Sequence, residues 1–392
     1  MKKGWQTKTL GDVLEKTETV NPLQSPSVEF DYIDVSSVSN TTFEIQETQR
    51  LKEKDAPSRA RKLVRTNDII FATIRPTLQR IAVVPEHLDK QVCSTGYFVL
   101  RPKLGIDHRF VIYSLFTENF VGQMESLQKG ASYPAVTDGY VRAQEIPVPP
   151  LAEQQRIVGV LDEAFEGLAT AKANAEKNLQ NARALFESHL QSVFTPRGPR
   201  WVEKPLGEIA DLLDCLHKTP TYAESGFPMV RVTDINPGFL DLSKTRKVDE
   251  QTFIAFSKGR TPRVGDIVFS RVGSCGVSAL VNSDEPFCLG QNTVFILPKM
   301  NLMLLYHFLN SPNAKEQFEG FIDGTTQPTI SMKSIRQVAV PIAPPAEHSR
   351  LVASLDSMRE ETQRLARLYE RKHAALEALK KSLLHQAFTG AL

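Results

Sequence analysis

Three pairs of polar segments hold the residues of this chain whose types and spacing could do chemistry. The first pair begins with Lys52-Glu53-Lys54-Asp55-Ala56-Pro57-Ser58-Arg59-Ala60-Arg61-Lys62-Leu63-Val64-Arg65, basic on balance and interrupted by proline. Its counterpart is Phe256-Ser257-Lys258-Gly259-Arg260-Thr261-Pro262-Arg263. Both precede an Asp-Ile-aliphatic stretch. Cations at Arg59, Arg61, Lys62, Lys258, Arg260 and Arg263 suit a phosphate-facing surface, because Lys and Arg neutralise phosphates and release counterions. The other reading is a solvated loop. The second pair follows the Asp-Ile stretch: Thr73-Ile74-Arg75-Pro76-Thr77-Leu78-Gln79-Arg80 and Ser270-Arg271-Val272-Gly273-Ser274-Cys275-Gly276. Arg75, Arg80 or Arg271 in such a turn can present a guanidinium to guanine O6 and N7, or to phosphate. Each could equally brace its turn through backbone carbonyls. The third pair comprises residues 130–137 and 324–331. Their polar tips, Ser132-Tyr133 and Thr326-Gln327, could touch base edges or sugar-phosphate, or serve as structural turns.

Bond-making chemistry has no comparable support. The sequence holds no glycine-rich phosphate loop with Lys-Ser/Thr, no dinucleotide fingerprint, no paired metal-site histidines and no nucleophile elbow. No catalytic residue, metal site or cofactor is therefore expected. Asn21-Pro22-Leu23-Gln24 is similar to the motif of amino-methylating enzymes only in its first two residues. It reads as a turn. Cys93, Cys215, Cys275 and Cys288 are too scattered for a metal knuckle or a disulfide framework, which points to reduced thiols and a cytoplasmic location. The opening residues lack the apolar stretch of a signal peptide. No apolar run approaches the roughly 18 residues of a membrane span. Net charge is +2, so local charge rather than the total must carry any argument for nucleic acid.

The elements that position these segments come in duplicate. Gly130-Ala131-Ser132-Tyr133-Pro134-Ala135-Val136-Thr137 returns as Gly324-Thr325-Thr326-Gln327-Pro328-Thr329-Ile330-Ser331. Pro147-Val148-Pro149-Pro150-Leu151-Ala152-Glu153-Gln154-Gln155-Arg156 returns as Pro341-Ile342-Ala343-Pro344-Pro345-Ala346-Glu347-His348-Ser349-Arg350. At 392 residues each half can bury its own core. Period-two, β-branched runs predict strands at residues 32–35, 68–72 and 97–102, matched by 229–232, 266–270 and 293–298. Short helices are expected at 110–119 and 302–310. The Pro-rich strings are expected to end strand pairing and open a helix. Beyond them, apolar residues recur at spacings of three and four. In the first stretch they are Ile157, Leu161, Ala164, Leu168, Ala171, Ala175, Ala182 and Leu185. In the second they are Leu351, Leu355, Met358, Leu365, Tyr369, Leu376, Leu379 and Leu383. That is a heptad seam over about 40 residues. The two helices are expected to pack antiparallel, with residues 195–200 as the linker. The expected architecture is α/β (α+β) with an internal pseudo-two-fold. Its parts are recognition domains at 1–150 and 196–345 and long helices at 151–195 and 346–392. Glu153, Arg156, Glu347 and Arg350 stand at matching places beside the seam. They suit a symmetric pair of partner proteins, or are solvated helix ends.

Taken together, these residues resemble the specificity subunit of type I restriction–modification systems. The resemblance rests on the Gly-x-x-x-Pro-x-aliphatic-Ser/Thr loop, the Pro-rich string, the Ala-Glu-x-x-Arg-aliphatic-Val…Leu-Asp helix start and the ending His385-Gln386-Ala387-Phe388-Thr389-Gly390-Ala391-Leu392. It covers essentially the whole chain, which is expected to be complete. It implies two target-recognition domains, each reading half of a split sequence in double-stranded DNA. The long helices would set the gap and dock two modification subunits, with restriction or translocase subunits as further partners. It also implies that catalysis belongs to those partners. The Arg75-Pro76 turn departs from Arg271-Val272-Gly273, so the two turns should differ in shape. The remaining alternatives are a divergent DNA methyltransferase or nuclease, which would bind a methyl donor, and a coiled-coil scaffold that ignores DNA.

Overall fold

The computed structural model describes residues 4–24, 29–195, 200–257, 260–324 and 328–392. The chain forms two compact units, Met1–Ala175 with Arg371–Leu392, and Glu176–Glu370. The long helices are thus shared out between the units.

The first unit opens with β1 (Gln6–Thr9) and the one-turn α1 (Leu10–Val13). Thr9 caps α1 through its hydroxyl, and Asp12 reaches back to the Thr9 amide. Then come β2 (Glu29–Ile33), β3 (Gln49–Lys52), β4 (Ala60–Leu63), β5 (Ile69–Ala72), β6 (Ile81–Val83), β7 (Val92–Ser94) and β8 (Tyr97–Leu100). α2 (His108–Ser114), α3 (Glu118–Leu127), α4 (Asp138–Arg142), β9 (Glu145–Val148) and α5 (Leu151–Phe194) follow. The sheets order as β3-β2-β7-β4, β6-β5-β8 and β1-β9. β5 is buried on both faces, as its unbroken apolar run requires. Ile69 and Phe71 pack against Val111, Phe120 and Val141 of the helices, while Ile70 and Ala72 pack against Ile33, Val38 and Cys93.

The second unit holds β10 (Val202–Pro205), α6 (Leu206–Ile209), β11 (Ala210–Asp214), β12 (Phe227–Val230), β13 (Arg246–Val248), α7 (Glu250–Ser257), β14 (Ile267–Ser270) and β15 (Ser278–Leu280). β16 (Cys288–Leu289), β17 (Thr293–Pro298), α8 (Leu302–Leu309), α9 (Pro312–Gly320), α10 (Met332–Gln337), β18 (Ala339–Ile342) and α11 (Pro345–Thr389) complete it. The topology repeats. β14 pairs antiparallel with β15 and β17, as β5 does with β6 and β8. β12 lies parallel to β16, as β2 does to β7. β10 pairs with β18, as β1 does with β9. Within the first unit, Arg156 Nη2 donates to the Leu392 carbonyl at 3.0 Å and Lys172 meets Glu377 at 2.7 Å, so the start of α5 runs antiparallel to the end of α11. Within the second, Arg183 meets Glu370 and His189 meets Ser354, again antiparallel.

Three expectations need correction. The helix at 110–119 is two helices, because Thr117 caps α3 by accepting from the Phe120 amide. The Pro-rich strings end strand pairing and open the helices as expected, but only after Val148 and Ile342, so the first proline of each lies inside a strand. Pro147 sits opposite Thr7, and Pro341 opposite Glu203, in two-stranded ribbons that leave an edge where a missing N–H is harmless. The seam also shifts. Ile157, Leu161, Ala175, Ala182 and Leu355 are buried, but Leu185 and Leu379 are 50% and 47% exposed. Phe186, one residue on from Leu185, packs on the core instead.

Removing a side chain from the true seam should cost far more than removing one beside it. Ile157→Ala and Leu355→Ala should each destabilise their unit by about 2–5 kcal/mol. Leu185→Ala and Leu379→Ala should stay within about 0.5 kcal/mol. Denaturant unfolding of the four variants checks this.

Candidate nucleic-acid interface

The turn after the central strand and the glycine loop, read separately in the sequence, form one platform in each unit. In the first, Ile74 bridges Ala135, the Val136 amide donates to the Thr73 carbonyl at 2.9 Å, and the Arg75 amide donates to the Pro134 carbonyl at 2.7 Å. In the second, Val272 bridges Thr329, Ile330 donates to Arg271 at 2.9 Å, and Gly273 donates to Pro328 at 3.0 Å. Each glycine loop closes on itself through a second bridge, Lys129 with Ala135 and Asp323 with Thr329. Gly130 is required at the first tip. Its φ is +106°, and a Cβ there would lie 2.9 Å from the Tyr133 carbonyl oxygen.

These bonds fix the correspondence between the units, and it differs from the one suggested by residue type. Arg75 matches Gly273, not Arg271. Both occupy the left-handed region, at φ +50° and +70°. Arg271 matches Thr73, since each donates its amide to a residue leading into the partner strand, Asn292 or Gly96. The consequences are opposite. Arg75 is exposed; its guanidinium lies 5.2 Å from the Tyr133 ring centroid and 3.4 Å from the Ser132 carbonyl. Tyr133 is itself 72% exposed. The arginine holds a conformation that costs a residue with a Cβ about 1 kcal/mol or more, and it does so beside an open aromatic ring. Arg271 is 12% exposed and donates to Asp214 at 3.3 Å.

Most of the other expected cations are braces. Lys62 donates to the Tyr97 carbonyl at 2.6 Å and to Asp138 at 2.8 Å. Arg80 donates to the carbonyl of Val38 at 2.6 Å and sits near those of Val35 and Ser36. Arg260 pairs with Asp266 at 2.6 Å. Arg61 is half-buried against the Ala60 carbonyl. Arg59 and Arg263 remain exposed, with no side-chain partner among the described residues. Ser132 is exposed at the loop tip. Lys258, Thr326 and Gln327 lie outside the described residues.

One candidate was missed. Lys244, Arg246 and Lys247 line the edge strand β13 and the turn before it, all exposed, with the Arg246 guanidinium 4.8 Å from the Tyr222 centroid. The counterpart edge in the first unit is neutralised, for Arg50 of β3 pairs with Asp31 and Glu29. The run Lys244-Thr245-Arg246-Lys247 was visible in the sequence; its exposure was not.

The remaining chemistry is quiet. Burial pushes the Cys93 and Cys288 thiols up to about 12, so neither is a thiolate at neutral pH. Asp214, Cys215 and His217 bring ligand atoms within 4.8 Å of one another. Arg271 and His217 already share the Asp214 carboxylate, so a guanidinium supplies the positive charge that a metal ion would bring. Asn21-Pro22-Leu23-Gln24 is indeed a turn, with residues 22–24 in one 3-10 coil. At the helix starts, Arg156 pairs with Glu153 at 2.7 Å and Arg350 with Glu347 at 3.6 Å; Arg350 is the freer, at 78% exposure. No helix among the described residues is long and apolar enough to cross a membrane.

The type I restriction modification DNA specificity domain matches residues 2–179 and again residues 199–370. The chain belongs to this family. Its members are specificity subunits, and this chain is a specificity subunit rather than a catalytic one. It is 22% identical over 276 residues to the EcoBI specificity subunit of Escherichia coli, covering 63% of this chain and 58% of that one. It is 24% identical over 331 residues to the EcoKI specificity subunit of Escherichia coli strain K12, covering 76% of this chain and 69% of that one. A chain from a study of complex assembly and conformational transition in a type I R-M system superposes with a TM-score of 0.87 at 28% identity, over 100% of this chain and 99% of that one. The HsdS subunit from Thermoanaerobacter tengcongensis gives 0.66 at 28% identity, over 100% and 98%. The tandem match falls on the two structural repeats described above.

The different jobs of the two arginines predict different stabilities. Arg75→Gly relieves a left-handed residue and should hold or raise the stability of its unit, by up to about 1 kcal/mol. Arg271→Ala removes a guanidinium from a largely buried carboxylate and should cost about 1–3 kcal/mol. Thermal melts of both variants distinguish the two roles.

Proposed function

We propose that this chain is the DNA-reading subunit of a type I restriction–modification complex, each unit reading one half of a two-part sequence in duplex DNA. The observation that carries this reading is the doubled platform. In both units the same backbone bonds lock the turn after the central strand to the glycine loop. The side chains on that locked backbone differ between the units. A conserved-geometry frame with unlike tips is what reading two unlike half-sequences demands.

In the first unit Arg75, Ser132 and Tyr133 form the reading tip, with Arg59 as a phosphate contact. Arg75 presents a planar fork suited to guanine O6 and N7, and Tyr133 holds it by its ring face. In the second unit Arg263, Lys244, Arg246 and Lys247 are the phosphate contacts, together with Lys258, while Thr326 and Gln327 are the loop tip. Lys62, Arg80, Arg260 and Arg271 leave the contact set, because their charge is spent on the fold. Two modification subunits carry the methyl donor and the catalytic residues. They dock where Glu153, Arg156, Glu347 and Arg350 mark the helix starts. The helix pair sets the number of unread base pairs between the half-sites.

Two experiments test the reading. Arg75→Ala should weaken specific DNA binding by about 1–3 kcal/mol and relax discrimination at its position. Lys244→Ala, Arg246→Ala and Lys247→Ala together should weaken binding evenly across sequences and lower the salt slope by about 0.9 per lost phosphate contact. Titrations at several salt concentrations separate these effects, and unchanged affinity in both variants overturns the assignment.

The second experiment concerns spacing. One helical turn of four residues inserted near Ala173, with a matching turn near Arg367, lengthens each helix by about 6 Å. One base pair spans about 3.4 Å. The unread spacer should change by one or two base pairs with the same bases read on either side. Methylation mapping in cells carrying the lengthened chain reads this directly, and an active variant with the old spacer refutes the ruler.

A further inference from the structure

The second unit contains a cavity of about 550 Å³ that the repeat fills in the first unit. Its walls include Phe186, Leu190, Cys275, Phe318, Tyr306 and Arg359. The hydrogen bond from His307 to Asp356 fixes the correspondence, since Tyr113 makes the same bond to Asp162 in the first unit. By that register Asn310 stands for Phe116, Arg359 for Phe165, and Phe186 for Lys380. The loop facing them also corresponds. The strand register on both sides of that loop, Tyr32 with Gln49 and Met229 with Arg246, matches Phe43 to Leu240 and Thr41 to Gly238.

In the first unit Phe43 fills the space. Its ring packs edge-on against Phe116 with centroids 4.6 Å apart, and Lys380 Nζ lies 5.6 Å from it. In the second unit the matching Leu240 is buried in the core instead, and Gly238, which lines the cavity, has no side chain to fill it; a Cβ built there meets nothing within 4 Å. What remains is a largely apolar hollow with a few polar groups, in the volume range of small-molecule sites. One of those groups has unused capacity. The Tyr306 hydroxyl accepts from the Gly238 amide at 2.6 Å, and among the described residues no group accepts its proton.

We infer that this cavity binds a free planar aromatic molecule carrying a hydrogen-bond acceptor. The ring takes the place that Phe43 holds in the sister unit, against Phe186 and Phe318, and the acceptor receives the Tyr306 proton. The rim cations Arg183, Lys315 and Arg359 are each paired with an acid, Glu370, Glu187 and Asp356, so the site selects a ring rather than a charge.

Calorimetric titration of the full chain with 2-naphthol, a bicyclic ring with one acceptor oxygen, tests this. One saturable site per chain is expected. Ala366→Phe, which projects a ring from the cavity wall, should weaken binding at least tenfold. Tyr306→Phe, which removes the hydroxyl proton offered to the acceptor, should weaken binding at least fivefold. No saturable binding to the wild-type chain, or binding unaltered by Ala366→Phe in a chain that melts like wild type, overturns the inference. If Ala366→Phe fails to fold, Tyr306→Phe decides it, and wild-type affinity in that variant overturns the inference.

Discussion

The turn that follows the central strand in each unit depends on one short stretch of backbone pairing. The residues leaving the central strand lie against the arm of the glycine loop, held by the Val136 to Thr73 and Arg75 to Pro134 bonds in one unit and by the Ile330 to Arg271 and Gly273 to Pro328 bonds in the other. This pairing satisfies backbone groups that would otherwise need solvent or side chains. It therefore frees the side chains at the tip from structural work. It also forces one residue, Arg75 or Gly273, into the left-handed region. Glycine accepts that place without strain. An arginine there stores strain at a surface position, which is where functional residues tend to accumulate it.

The cations divide by the same logic. A guanidinium or ammonium with an acid or several carbonyls close by is already satisfied, and little remains for a phosphate. Arg101 shows the extreme, gripping Asp68 with two nitrogens at 2.8 and 2.7 Å and Glu18 with a third at 2.6 Å. The paired acids in turn hold the turn before each central strand, for Asp68 accepts the Arg65 amide and Asp266 the Arg263 amide. Basic composition in these loops thus serves the fold first. Under the proposed function, the cations left for DNA are those with no ion pair at contact distance among the described residues: Arg59, Arg75, Arg263 and the Lys244–Lys247 edge.

Much of this was legible in the sequence. The duplicated loops, the paired apolar strands and the two long helices all follow from residue type and spacing, because burial on both faces of β5 and β14 leaves an unmistakable apolar run. The assignment of single arginines was not legible. Arg75 and Arg271 match by type and both follow the central strand, yet they stand three and one residues past its end, and that two-residue offset places one on the surface and buries the other. Lys62 and Arg80 find partners 76 and 42 residues away, Asp138 and Val38, which local pattern cannot reveal. The seam failed at Leu185 and Leu379 for a related reason. A globular domain packs against the helix flank and draws Phe186 into its core, so helix-to-helix periodicity alone does not set which side is dry. The Phe43 plug and the lack of one in the second unit were likewise hidden, because only the fold brings that loop to the helices.

The account stands or falls on whether the two units read separate halves of one site. Base-resolution mapping of methylated DNA in cells that carry the modification subunits with either the native chain or Arg75→Gly tests this most directly. The account predicts a two-part methylated sequence for the native chain and, for the variant, lost discrimination confined to one half with the other half and the spacer unchanged. A single uninterrupted site, or relaxation spread over both halves, would contradict it.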